Sequence, residues 1–85
     1  MTDATPFRLT KTEARVLRLM ASGLANAEIG RQLGIVERTV IGHASNIFLK
    51  LDVRDRTNAL LWALRNGIVS IDEAWAVVRP PDATR

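Results

Sequence analysis

The sequence contains no cysteine, and it is poor in aromatic residues and in histidine. The absence of cysteine excludes disulfide bonds, thiolate catalysis and zinc–thiolate sites, which suits a protein of the reducing cytoplasm. Since His43 is the only histidine, the side chains provide no nucleophile–base–orienter set and no histidine metal site. We therefore expect no catalytic residue, no metal, no cofactor and no small-molecule substrate.

Long apolar runs are also missing. The longest uninterrupted apolar stretch, at residues 59–64, is far shorter than the roughly 20 residues that span a bilayer as a helix. No basic segment followed by an apolar stretch opens the chain, so we expect no secretory signal and no membrane partner. A chain of 85 residues is long enough for one domain with a single small core.

Positive charge is concentrated in the body of the chain. Residues 8–69 carry ten basic and five acidic residues, whereas both ends are slightly acidic and the whole chain has a net charge of +3. Arginine is the main cation, and its guanidinium binds phosphate through two parallel hydrogen bonds. This pattern favours a nucleic-acid partner, although a modest positive excess is also common in proteins that bind none.

The most informative stretch is 36–51. Drawn as a helix, it places its apolar residues on one side and hydrogen-bonding residues along one flank, and a third row points directly away from the core. These three rows are Val40, Ala44, Ile47, Phe48 and Leu51; Thr39, His43, Asn46 and Lys50; and Arg38, Gly42, Ser45 and Leu49. A helix held by its apolar back suits the major groove of DNA. The alternative is an amphipathic surface helix whose polar side meets only water.

Two shorter helices are predicted before this stretch. The first begins at a capping box formed by Thr10 and Glu13 and ends near Gly23. The second has Asn26 as its N-cap and continues through residues 27–33. Gly30 lies inside it at a cost of roughly 1 kcal/mol relative to alanine, which predicts that another helix passes close by.

A tight turn separates the second helix from the third. It consists of Gly34, Ile35 and Val36, and two helices joined in this way form a helix-turn-helix unit. Val36 has no side-chain acceptor at the expected N-cap of the third helix, which loses on the order of 1 kcal/mol compared with serine.

A fourth helix is predicted from Asp55, its N-cap, to about Asn66. Its centre is apolar on all sides, so a small core cannot bury every face. We expect Thr57, Leu60 and Leu64 to face the core. The remaining surface, which predicts dimerisation, comprises Ala59, Trp62, Ala63 and Asn66.

A second capping box at residues 70–73 predicts a short fifth helix over roughly 71–78. We expect Trp75 in this helix to pack on helix 4 of the same chain or of a partner.

Residues from Leu9 to about Val69 resemble the LuxR-type (GerE-type) helix-turn-helix domain, which also occurs in NarL/FixJ-like response regulators. The matching residues are Leu9, Thr10, Glu13, Val16, Leu17, Gly23, Leu24, Asn26, Glu28, Ile29, Leu33, Gly34, Ile35, Thr39, Val40, His43, Ile47, Lys50, Leu51, Val53, Arg56 and Ala59. The resemblance implies an all-α fold of four helices, a recognition helix at 37–51 and dimerisation through helix 4. It also divides the chain into a lead-in (1–8), the domain (9–69) and a short helix with a polar tail (70–85).

The resemblance implies a bacterial, dimeric transcription regulator that binds double-stranded DNA and has RNA polymerase as a further partner. Thr39, His43 and Lys50 match positions that meet the phosphate backbone, and residues 41, 42, 45 and 46 match positions that face base edges. The full set of candidate DNA-binding residues is Arg38, Thr39, Ile41, Gly42, His43, Ser45, Asn46 and Lys50.

Three residues depart from the family pattern. Ile41 and Gly42 follow the Thr-Val pair where the family usually begins with lysine or arginine, and Val36 replaces the usual serine. Ile41 can pack on thymine methyl groups, and Gly42 would let the helix backbone approach the bases. One alternative is a module with weakened DNA binding that acts on other proteins through Trp62 and Trp75; another makes His43 an ordinary surface residue beside Lys50.

Overall fold

The computed structural model describes residues 9–70 and Asp72 of the chain. Its helices are α1 (Lys11–Ala21), α2 (Asn26–Leu33), α3 (Glu37–Leu51) and α4 (Arg56–Arg65). The arrangement confirms the expected all-α fold of four helices. The predicted fifth helix and the lead-in fall outside the described residues.

The starts of α1 and α4 are set by the predicted side-chain caps. Thr10 Oγ1 accepts a hydrogen bond of 3.0 Å from the Glu13 backbone N–H, and the Thr10 backbone N–H donates to Glu13 Oε1 at 3.0 Å. At α4, Asp55 Oδ1 accepts from the Asn58 backbone N–H at 2.9 Å. Both caps satisfy backbone donors that have no partner inside the helix.

The predicted N-cap of α2 is wrong by one residue. Ala25 occupies the cap, and its backbone N–H donates to Glu28 Oε1 at 2.9 Å. Asn26 instead uses its side-chain oxygen to accept a hydrogen bond of 3.2 Å from Arg56 Nη1. Arg56 Nη2 donates to the carbonyl of Leu24, so this arginine ties the start of α4 to the segment that leads into α2.

The turn between α2 and α3 passes directly over Gly30. A Cβ atom on Gly30 would lie 2.5 Å from the carbonyl oxygen of Ile35. The backbone does approach Gly30 closely, but the prediction that another helix does so is wrong, because the partner is the turn. Gly34 has a φ of 74°, a conformation that glycine adopts at little cost. Val36 is the N-cap of α3 without a side-chain hydrogen bond, as predicted.

The core lies where α1 packs across α3 and α4, and α2 closes it by packing on α3. The largest fully buried side chains are Val16, Leu17, Ile29, Val40 and Ile47. Within the described residues, no helix combines the length and apolarity needed to cross a membrane. Because α3 is held only from behind, its front is left open to solvent.

The predicted orientation of α4 needs correction. Ala59 and Ala63 were expected on the outer surface, but both are 0% exposed and lie in the core together with Leu60. Thr57, expected to face the core, is exposed, and Leu61 is 54% exposed. The reason is that the centre of α4, residues 59–64, is entirely apolar, so polar residues mark the outer face only near the ends of the helix. α4 presents its small alanines to the core.

Candidate nucleic-acid interface

The back of α3 fixes which of its side chains reach solvent. Val40, Ala44, Ile47 and Leu51 are buried, so the opposite side of the helix must face outward. The predicted DNA-binding residues Arg38, Thr39, Ile41, Gly42, Ser45, Asn46 and Lys50 are all exposed, and His43 is half-buried. The structure therefore brings the predicted residues together on one open surface of a helix about 22 Å long.

Two large aliphatic side chains lie on this surface. Ile41 is 47% exposed and Leu49 is 80% exposed. Leu49 belongs to the outward row of the helical projection but is not in the predicted DNA-binding set. Its position eight residues after Ile41, with no lysine or arginine between them, is the signal that could have identified it.

Gly42 lies in the same outward row. A Cβ atom at this position would have no heavy atom within 4 Å, so packing inside the chain does not require glycine here. A glycine in the middle of a helix costs roughly 1 kcal/mol relative to alanine. The bare backbone at Gly42 is therefore a feature of the surface of α3 and not of the core.

Lys50 is involved in an ion pair that the sequence did not predict. Its Nζ lies 2.7 Å from Oε1 of Glu13, and the side chain of Glu13 is almost fully buried between α1 and α3. Burial alone would raise the pKa of the Glu13 carboxyl. The hydrogen bonds from Lys50 and Thr10, with the charge of Lys50 and a smaller contribution from His43, outweigh that effect and hold the pKa below its ordinary value of 4.5.

This ion pair changes how Lys50 is interpreted. Part of its charge is neutralised by Glu13, and the pair fixes the end of α3 against the start of α1. The hydrogen bond to Glu13 uses one of the three N–H donors of the ammonium group. The residue thus has a structural role in addition to the predicted one.

A second surface feature lies on α4. A groove of about 680 Å³ runs between the end of α3 and the outer side of α4, and its lining includes Asp52, Asn58, Leu61, Trp62 and Arg65. Asn58, Leu61 and Arg65 follow helical spacing and lie opposite the buried alanines.

In the part of the chain that the structure describes, no cluster of three or more histidine or acidic side chains could hold a metal ion.

Comparison with known proteins agrees with this geometry. Residues 8–63 match the family model GerE, described as bacterial regulatory proteins of the luxR family. The matched segment contains α1, α2, α3 and most of α4.

Several curated proteins are similar over the same region. The chain is 46% identical over 63 residues to the transcriptional regulatory protein DegU of Brevibacillus brevis, covering 74% of this chain and 27% of that protein. It is 50% identical over 62 residues to the transcriptional regulatory protein LiaR of Bacillus subtilis, covering 73% of this chain and 29% of that protein. The response regulator protein VraR of Staphylococcus aureus is 41% identical over 61 residues, covering 72% and 29% respectively. The chain thus spans less than a third of the length of these relatives, and it belongs to the luxR family of bacterial regulatory proteins.

Proposed function

We propose that this chain binds double-stranded DNA as a sequence-specific transcription regulator, with α3 in the major groove. The observation that carries the proposal is the single open surface formed by the exposed residues of α3, which is held from behind by the core. The major groove of B-DNA admits one α-helix. The relatives that the chain matches are named as transcriptional regulatory proteins.

Within this surface, two groups of residues have different tasks. Thr39, His43 and Lys50 would position the helix by donating hydrogen bonds to phosphate oxygens, which carries little sequence information. The residues that face base edges would be Ile41, Gly42, Ser45 and Asn46, with Arg38 at the start of the helix. The positive body of the chain would favour approach to DNA at low salt.

The test is selection from a pool of random duplexes at low salt, followed by sequencing of what the protein retains. We expect an enriched sequence, and we expect affinity for it to fall steeply as salt rises because bound phosphates release their counterions. Retention without enrichment would contradict sequence-specific reading. No retention at all would contradict DNA binding and leave the α4 surface, as a protein-interaction site, the stronger candidate.

Dimerisation through α4 is the second part of the proposal. Since Ala59 and Ala63 are buried, the contact surface would be Asn58, Leu61 and Arg65, with the half-buried Trp62 beside them. Asp52 precedes α4, Arg65 is its last residue, and both line the groove. An antiparallel pairing of two α4 helices about a two-fold axis would therefore bring Asp52 of each copy towards Arg65 of the other.

A dimer of this kind would read two half-sites related by the same two-fold axis. The protein would act on the bacterial chromosome, in the cytoplasm, and RNA polymerase would be its further partner. Equilibrium sedimentation tests the dimer: Leu61→Asp should shift the chain towards monomer, whereas an unchanged distribution would contradict the α4 interface.

A further inference from the structure

The exposed surface of α3 carries two large aliphatic side chains and no lysine or arginine between them. Ile41 and Leu49 both expose large aliphatic side chains, and the residues from 41 to 49 include neither lysine nor arginine. Guanine in the major groove is read most often by arginine or lysine, which donate to its O6 and N7 atoms. This part of the helix therefore has no side chain of the type that favours guanine.

The base edges in the major groove offer one apolar group, the 5-methyl group of thymine. We propose that α3 reads thymine methyl groups through Ile41 and Leu49, so that the half-sites are rich in A·T pairs. This inference rests on the DNA-binding function proposed above and names the base chemistry that is recognised. Asn46 fits the same half-site, because its side-chain amide can bind adenine N6 and N7.

The spacing of the two aliphatic residues gives a geometric expectation. Eight residues of α-helix advance by about 12 Å and turn by about 80°. The two side chains therefore meet different base pairs, at separate points along the groove. Gly42 lies beside Ile41 and adds no side chain that would hold the helix away from the bases.

Charge favours DNA over a protein as the occupant of this surface. Thr39, His43 and Asn46 line the flank with hydrogen-bonding groups, and Arg38 begins the helix. The body of the chain, residues 8–69, has five more basic than acidic residues. Two exposed aliphatic side chains within a polar and positive surface match thymine methyl groups set among phosphates.

The experiment compares two duplexes of the sequence selected by the protein, one with thymine and one with uracil at every thymine position. Uracil keeps the hydrogen-bonding groups of thymine and lacks only the methyl group. We expect the wild-type protein to bind the thymine duplex about fourfold more tightly for each contacted methyl group. Ile41→Ala and Leu49→Ala should each reduce this ratio while retaining binding to the uracil duplex.

Val36→Ala is the matched control, because Val36 is also an exposed aliphatic residue, at 67%, but lies at the N-cap, before the first turn of α3. It should leave the thymine-to-uracil ratio unchanged. Equal, salt-dependent binding of both duplexes by the wild-type protein would overturn methyl reading and leave DNA binding intact. Loss of the ratio in Val36→Ala would also overturn it, and failure to bind either duplex would overturn the proposed function itself.

Discussion

At the scale of single residues, two helical glycines have opposite surroundings. Gly30 lies against the carbonyl oxygen of Ile35, whereas the position of a Cβ atom on Gly42 is open. We expect Gly30→Ala to destabilise the fold by at least 1–3 kcal/mol, because the turn backbone must move. Gly42→Ala should stabilise it by up to about 1 kcal/mol, because alanine is the better helix former. Urea denaturation of both variants measures the two effects.

The same alanine at position 42 tests the role of the bare backbone. If Gly42 lets α3 approach the bases, Gly42→Ala should bind the selected duplex at least tenfold more weakly although it is more stable than the wild type. A variant that is both more stable and equally tight in binding would refute that role.

A further prediction at this scale concerns the Glu13–Lys50 pair. Because the folded-state pKa of Glu13 lies below its ordinary value, the carboxylate contributes stability above about pH 4.5 that is lost as the pH falls towards the folded-state pKa. Glu13→Gln should lower the free energy of unfolding at pH 7 by about 1.5–3 kcal/mol, and by less at pH 3.

Glu28→Gln is the control for that measurement. Glu28 holds the equivalent capping position in α2, where it accepts a hydrogen bond from the Ala25 backbone N–H, but it is exposed. We expect Glu28→Gln to have the smaller effect at pH 7. An equal loss in both variants would show that the cap, and not the buried ion pair, supplies the stability at Glu13.

At the scale of whole helices, the sequence predicts where they begin and end better than which way they face. The caps at Thr10 and Asp55 and the stop at Gly34 depend on residues close in the chain, so their patterns are visible in the sequence. The true N-cap of α2, Ala25, is not visible in the sequence, because the side chain of Asn26 is bound by Arg56 from a distant element. The Glu13–Lys50 pair is hidden for the same reason, since it joins α1 to α3.

The side of a helix that faces the core can be predicted only where polar and apolar residues alternate with the helical period. The back and front of α3 follow directly from its periodic pattern. In α4 the centre is apolar on all sides, so the pattern predicts the wrong face for Ala59 and Ala63 and does not identify Leu61 as exposed. The three-dimensional packing of α4 on α1 supplies the missing information.

The two exposed leucines on α3 and α4 provide a matched prediction at this scale. Leu61→Ala should weaken self-association by at least threefold without changing the thymine-to-uracil ratio, because Leu61 lies on the α4 groove. Leu49→Ala should lower the thymine-to-uracil ratio and leave self-association unchanged. Sedimentation and duplex titration on both variants measure the two properties, and parallel changes in both would contradict the assignment of separate tasks to α3 and α4.

At the scale of the whole molecule, the fold serves to present one helix. α1 and α2 bury the back of α3, and α4 packs on α1. The links from Lys50 to Glu13 and from Arg56 to Asn26 brace α3 and α4 respectively against the preceding elements. Most of these contacts join residues that match the family pattern. Residues that differ from the pattern, such as Ile41 and Gly42, lie on the exposed surface, where they can alter what is bound without disturbing the core.

The central claim is that the front of α3 is the DNA-binding surface, and one substitution made at two sites tests it directly. Asn46 lies on that surface and Asn66 lies at the end of α4; both are exposed, and Asn→Asp adds the same single negative charge at either site. Because Asn66 also belongs to the surface predicted to dimerise, the titration uses a duplex with a single half-site, which one copy of the chain binds. At fixed salt, Asn46→Asp should bind it at least tenfold more weakly than the wild type, and Asn66→Asp should bind within about twofold of the wild type. Equal losses in the two variants would mean that only net charge matters, and no loss in Asn46→Asp would place the DNA elsewhere on the protein.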